Sequence, residues 1–185
     1  MRTIEFSAVM RAVAVGIAAL VLAGASRAEG DKATYERVKA SAKSTYDAAK
    51  ARCDALKDNA KDICVAEAQA ARTKTEVKAE AAYKDTPKAR ENAVHQAAEA
   101  DYKVARKQCD DRTGNDKDVC IKVAKAALVR AKADAKVTRV SSDARIDASK
   151  EKREAEYSVA AQKCDAMTGD AKSACVKDAK AKYGM

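Results

Sequence analysis

The chain has no tryptophan, one phenylalanine, one proline, one histidine and six glycines in 185 residues. Each shortage excludes something. Glycine and proline are too scarce to break up long helices, while alanine, lysine, arginine and glutamate, the strongest helix formers, are abundant. One histidine, with cysteines never in C-x-x-C spacing, leaves no four-ligand zinc site and no dithiol redox pair. No nucleophile motif, paired-acid constellation or glycine-rich phosphate loop occurs. Catalytic residues, metal ligands, cofactors and a small-molecule substrate are therefore not expected, and His95 reads as a partly exposed helix residue. Large aliphatics are short as well. Beyond residue 28, Leu, Ile, Val and Phe supply 17 of 157 residues and alanine 37. Such a chain can be helical without a thick core, so a thin, elongated body is expected rather than a compact globule.

What is present begins with an export signal. Arg2 and Arg11 precede an uncharged run over residues 12–25, and Ser26-Arg27-Ala28 places small residues where a signal peptidase reads. The run is shorter than the ~20 residues a spanning helix needs. The expectation is a signal peptide over 1–28, a mature chain from Glu29 without a transmembrane helix, and a periplasmic or secreted location.

The rest is a repeat. "YDAAKARCDALKDNAKDIC" (46–64), "YKVARKQCDDRTGNDKDVC" (102–120) and "YSVAAQKCDAMTGDAKSAC" (157–175) align without a gap. Each places Tyr seven residues before the first Cys, Asp directly after it, and Lys three before the second Cys. Units of 29–85, 86–140 and a shorter 141–185 follow. Thr86 and Pro87 suit a helix start, and Ser141 or Ser142 is the counterpart in the third unit. Tyr35, Val38, Ala42, Tyr46, Ala49 and Cys53 fall on one helical face, as do Val94, Ala98, Tyr102, Ala105 and Cys109. The tyrosines at 46, 102 and 157 read as caps on each hairpin's thin core. The long segments 62–108 and 118–163 are expected to bend at the unit boundaries.

Gly114 and Gly169 are placed to end a helix in the left-handed conformation, with Asn115 and Asp170 as the next N-caps; Asp58-Asn59 takes their place in the first copy. Cys109 lies five residues before Gly114 and Cys120 six after, hence at one height on two antiparallel helices. The pairs Cys53–Cys64, Cys109–Cys120 and Cys164–Cys175 are the expected disulfides, one per hairpin. Each closes a twelve-residue ring worth roughly 2–3 kcal/mol.

The net charge is +9. Most of it is mixed in sign and reads as solvated helix face. Lys122, Lys125, Lys132, Lys136 and Arg139 instead share about 100° of one helical face, with Cys120, Val123, Ala127 and Ala131 on another. This stripe of roughly 25 Å is a candidate contact for a polyanion or an anionic membrane surface.

The stretches "VKAEAAYKD" and "KVAKAALVRAKADAKV" resemble the Ala/Lys/Glu-rich helical stalk of TolA-type envelope proteins, and the chain is similar to small exported Ala/Lys-rich bacterial envelope proteins. That resemblance is compositional and carries no functional residue across. The cysteine hairpins also resemble the twin-cysteine hairpins of the mitochondrial intermembrane space, which hold two pairs per hairpin where this chain has one. Together these readings imply an all-α, coiled-coil-like array of three disulfide-stapled antiparallel hairpins. The expected role is a non-enzymatic structural or interaction protein of the cell envelope, with an envelope protein or anionic surface as partner and nucleic acid not expected.

Overall fold

The computed structural model describes residues 31–185; the expected signal peptide, 1–28, lies outside them. Five helices follow one another: α1 Lys32–Cys53, α2 Asp58–Lys84, α3 Pro87–Cys109, α4 Gly114–Cys164 and α5 Gly169–Tyr183. Asp31 starts α1 by accepting from the Ala33 and Thr34 amides. Thr86 starts α3 by accepting from the Ala89 amide at 3.0 Å, with Pro87 in the first turn.

Among the described residues, each helix packs only on its neighbours in sequence: α1 on α2, α2 on α3, α3 on α4, α4 on α5. The result is a single layer that winds back and forth, the elongated all-α hairpin array read from the repeat. Its interior is thin. Most buried apolar residues are alanines, such as Ala42, Ala70, Ala100 and Ala135, joined by Val77, Leu128 and one cysteine of each pair. The stripe Tyr35, Val38, Ala42, Tyr46, Ala49 and Cys53 is the covered face of α1. Short side chains bury little area, so each helix pair gains little from burial alone.

The unit boundaries behave differently from one another. At the first, α2 ends at Asp85 in the left-handed conformation (φ 44°) and the chain reverses into α3. At the second there is no break: α4 runs 51 residues without interruption through Ser141 and Ser142. The expected Ser cap is corrected here, because the Ser142 hydroxyl is spent on the Thr138 carbonyl, four residues back within the helix. The first half of α4 lies on α3 and its last turns lie on α5. Residues 144–156, between the two, are exposed without exception.

The helix ends at the cysteine turns also differ from expectation. α1, α3 and α4 stop at Cys53, Cys109 and Cys164 with amides bonded three residues back, such as Leu56 to the Cys53 carbonyl at 3.0 Å. These tight bonds satisfy the last carbonyls, so no left-handed glycine is needed there. Gly114 (φ 55°) and Gly169 (φ 58°) instead open the following helix, and Asp58 (φ 50°) does so in the first copy. The N-cap positions are Lys57, Thr113 and Thr168, without side-chain caps, rather than Asn115 and Asp170.

Candidate functional site

Two features set the candidate surfaces: the stapled turns and the flank of α4. The disulfides Cys53–Cys64, Cys109–Cys120 and Cys164–Cys175 join adjacent helices with Cα–Cα distances of 5.6, 5.7 and 5.7 Å. No cysteine among the described residues is free. The first cysteine of each pair is buried to 0–1% exposure, because the bridge sits between the helices rather than beside them.

The repeat's invariant Asp and Lys turn out to be partners. Asp54 meets Lys61, Asp110 meets Lys117 and Asp165 meets Lys172, each at 2.9 Å across the turn. The hydrogen bond from Lys61 holds the Asp54 carboxyl below its usual value, and Lys117 does the same for Asp110. The seven-residue spacing was visible in all three copies, but pairing across a turn has no sequence signature.

The turns also lock hairpin to hairpin. The Asn59 amide donates to the Lys107 carbonyl and to Asp111, both at 2.8 Å. Lys107 reaches Asp62 at 2.7 Å and Lys74 reaches Asp101 at 2.7 Å. These contacts tie α2 to α3 along its length.

The five basic residues of the stripe are not one open face. Lys132 pairs with Glu99 of α3, and this hydrogen bond holds the Glu99 carboxyl low. Lys125 stands over the Tyr102 ring, 5.5 Å from its centroid. Arg139 places Nε 3.0 Å from Glu91 of α3 and Nη1 on Asp143. The Arg139 Nε contact is a charge pair without a well-aligned hydrogen bond, since its N–H points off the oxygen. Glu91 is only 5% exposed; Lys88 donates to it and depresses its pKa against the opposing effect of burial, with Arg139 adding to the depression. Of the five, Lys122, Lys125 and Lys136 form no ion pair among the described residues, and Lys125 is engaged by the Tyr102 ring instead.

The reason lies in phase. The face of α4 that meets α3 is Ala124, Leu128, Ala131 and Ala135; it shares Ala131 with the stripe Cys120, Val123, Ala127 and Ala131 but is turned from it. Val123 is 64% exposed. The basic stripe therefore rides the shoulder of the packing face, and long cationic side chains lie back over α3. There Lys125 and Lys132 join Lys103, Arg106 and Lys107 around an open groove of about 620 Å³ floored by Tyr102 and Leu128.

The tyrosines expected to cap the hairpins, Tyr46, Tyr102 and Tyr157, are half-buried. Arg72 lies over Tyr46 at 5.6 Å, and Tyr35 stacks on Tyr83 at 5.2 Å where the α1–α2 hairpin opens. His95 is half-buried, its Nε2 3.3 Å from the Lys132 carbonyl. A carbonyl can only accept, so that nitrogen carries the proton.

Among the described residues no cluster of three or more His, Cys, Asp or Glu is placed to hold a metal, and no helix is long and apolar enough to cross a membrane. No protein family, no curated protein and no solved structure matches this chain.

Proposed function

We propose that the chain is an exported, non-enzymatic structural or interaction element of the bacterial cell envelope. The observation that carries this reading is the closure of all six cysteines into three local bridges at repeated positions. Such bridges persist in oxidising compartments and are rare elsewhere in mesophiles. The uncharged run over 12–25 is the matching address at the N-terminus. A thin layer whose helices, among the described residues, touch only chain neighbours offers length and surface in proportion to the number of units, as a spacer or docking rod does.

The test is made on native cells. Fractionation, intact mass and thiol trapping are expected to find a chain beginning at Glu29, outside the cytoplasm, with no free thiol. A reduced chain retaining Met1 in the cytoplasmic fraction would remove the reading.

A polyanion or anionic membrane surface is the second reading. The cations around the α3–α4 groove favour it, since Lys125 and Lys132 gather with Lys103, Arg106 and Lys107 there. Lys122, Lys136 and Arg139 stand apart from that group. Binding to anionic vesicles or heparin at low salt, released as salt rises and weakened by Lys103, Lys125 and Lys132→Gln together, would support it. Absence of binding at low salt would leave the structural reading alone.

A further inference from the structure

One face of α4, on the side away from α3 and α5, is exposed and largely apolar. Val119, Val123, Val137, Val140 and Val159 are 50–64% exposed. They recur at helical spacing with exposed alanines between them over roughly 60 Å of helix. A stripe of this length on a charged helix is a surface for another helix.

The repeat identifies the kind of helix. Aligning Cys64 with Cys120 sets Ala70, Val77 and Ala81 of α2 onto Ala126, Ala133 and Val137 of α4. In α2 these three are 4–8% exposed, on the same stripe as Asp62 and Lys74, which pair with α3. In α4 their counterparts are bare. Aligning Cys109 with Cys164 likewise sets Ala93, Ala100 and Val104 of α3 onto Ala148, Ala155 and Val159. The α3 residues are covered and their counterparts are exposed. The two halves of α4 thus carry the two matching faces of the α2–α3 interface, both unused.

One of the two ion pairs between α2 and α3 carries over with its signs; the other, Lys107–Asp62, becomes Gln162 and Asp118, and Asp111 becomes Ala166. Lys74 and Asp101, paired at 2.7 Å, become Arg130 and Glu156. Both are exposed and outside any ion pair among the described residues. Asn59, which holds the end of α3, becomes Asn115, also exposed. The apolar pattern departs at Lys152, where α3 has Ala97; in the same register it falls opposite Asp134, where α2 has Lys78.

The halves cannot meet within one unbroken helix. Ala126 and Ala155 are separated by roughly 44 Å along its axis. The reversal that lets α2 meet α3, at Asp85-Thr86-Pro87, is absent at Ser141-Ser142. We infer that the seam binds a second copy of this chain, α4 against α4, antiparallel about a twofold axis near Ser141–Ser142. Each N-terminal half then takes the C-terminal half of the second copy, and the α2–α3 interface is rebuilt twice between chains. Loss of a turn converts a hairpin contact into an exchange between protomers. The inference rests on the repeat and on charge matching, not on where the protein resides or which polyanion it meets.

Sedimentation of the oxidised chain over a range of concentrations tests it. A reversible dimer is expected. Arg130→Glu should raise the dissociation constant by about tenfold or more, because the twofold places two like-charged contacts in the interface at once. Glu156→Arg should do the same, and the double variant should restore the dimer. Val137→Lys should abolish it whatever the charge pair. All these positions are exposed, so circular dichroism and three intact disulfides serve as the control for folding. A chain that stays monomeric, whether its seam is bare or covered by its own α4 bent back at 140–142, overturns the inference. So does a dimer indifferent to Arg130→Glu and Val137→Lys.

Discussion

Removing the third staple separates what a disulfide contributes from what packing contributes. In the variant Cys164→Ala with Cys175→Ala, the twelve-residue ring is lost, and with it about 3 kcal/mol of loop-closure entropy at 25 °C. α5 has little else to hold it. It is 15 residues long, packs on α4 alone, and Ala179 is its only buried residue. An isolated helix of that length is marginal in water. Amide protection in α5 should therefore fall by about a hundredfold, the equivalent of 3 kcal/mol. The helical signal should fall by roughly a tenth as the segment frays. The matched variant Cys109→Ala with Cys120→Ala loses an identical ring and should behave otherwise. α3 is packed on both sides, by α2 and by α4, and Leu128 with the Glu91–Arg139 pair remains. Stability of that hairpin should drop by a comparable amount while its helices stay formed. Hydrogen exchange resolved by segment measures both. Wild-type protection in α5 of the first variant, or equal fraying in the two, would refute the claim that α5 depends on its bridge.

Gly114→Ala should cost about 1 kcal/mol and change nothing else. A Cβ there meets nothing within 4 Å, so the penalty is backbone strain at φ 55°, read as a lower denaturant midpoint at constant slope. Asn59→Ala should cost about 1–2 kcal/mol and speed amide exchange at the α3 terminus, because two hydrogen bonds between hairpins are lost; the thermal midpoint and exchange at 107–112 check it. The lowered pKa values of Asp54, Glu91, Glu99 and Asp110 mean that folding favours their charged forms. Their contribution is complete above the ordinary values of 3.8 for Asp and 4.5 for Glu and is lost as pH falls through the depressed folded values. Thermal midpoints should be flat through neutral pH and decline in acid. Glu91→Gln should lower the midpoint at neutral pH, by removing one of the two carboxylates that Arg139 pairs with, and make the acid decline shallower.

How much of this was legible depends on whether the information is local. The disulfides could be read because three copies share one spacing and that spacing puts both cysteines at one height on a hairpin. The covered face of α1 could be read because α1 has one neighbour, so one stripe of period 3.6 describes it. α3 and α4 defeated the same method. α3 packs on two sides and buries Glu91 and Ala100 off the Tyr102–Cys109 stripe. On α4, valines mark an exposed side while alanines and Leu128 mark the covered one, so hydropathy pointed the wrong way. The basic stripe was visible as phase, but its engagement by Glu91, Glu99 and Tyr102 depends on residues some 23–48 positions away. The unbroken path of α4 is explained by what Ser141-Ser142 lacks. Thr86-Pro87 carries an N-cap and a residue that cannot continue a helix; two serines only permit one to start.

Because every helix among the described residues touches only the ones before and after it, the fold they make is close to one-dimensional. Nearly all contacts join residues of the same or the next helix, so loop closure is cheap at each step and folding can proceed hairpin by hairpin as the chain emerges. Each bridge can form as soon as its own eleven-residue spacing is available, without waiting for a distant partner or an isomerase to correct it. Duplication or loss of a 55- or 56-residue unit would then lengthen or shorten the rod while leaving the remaining hairpins with the neighbours they already have.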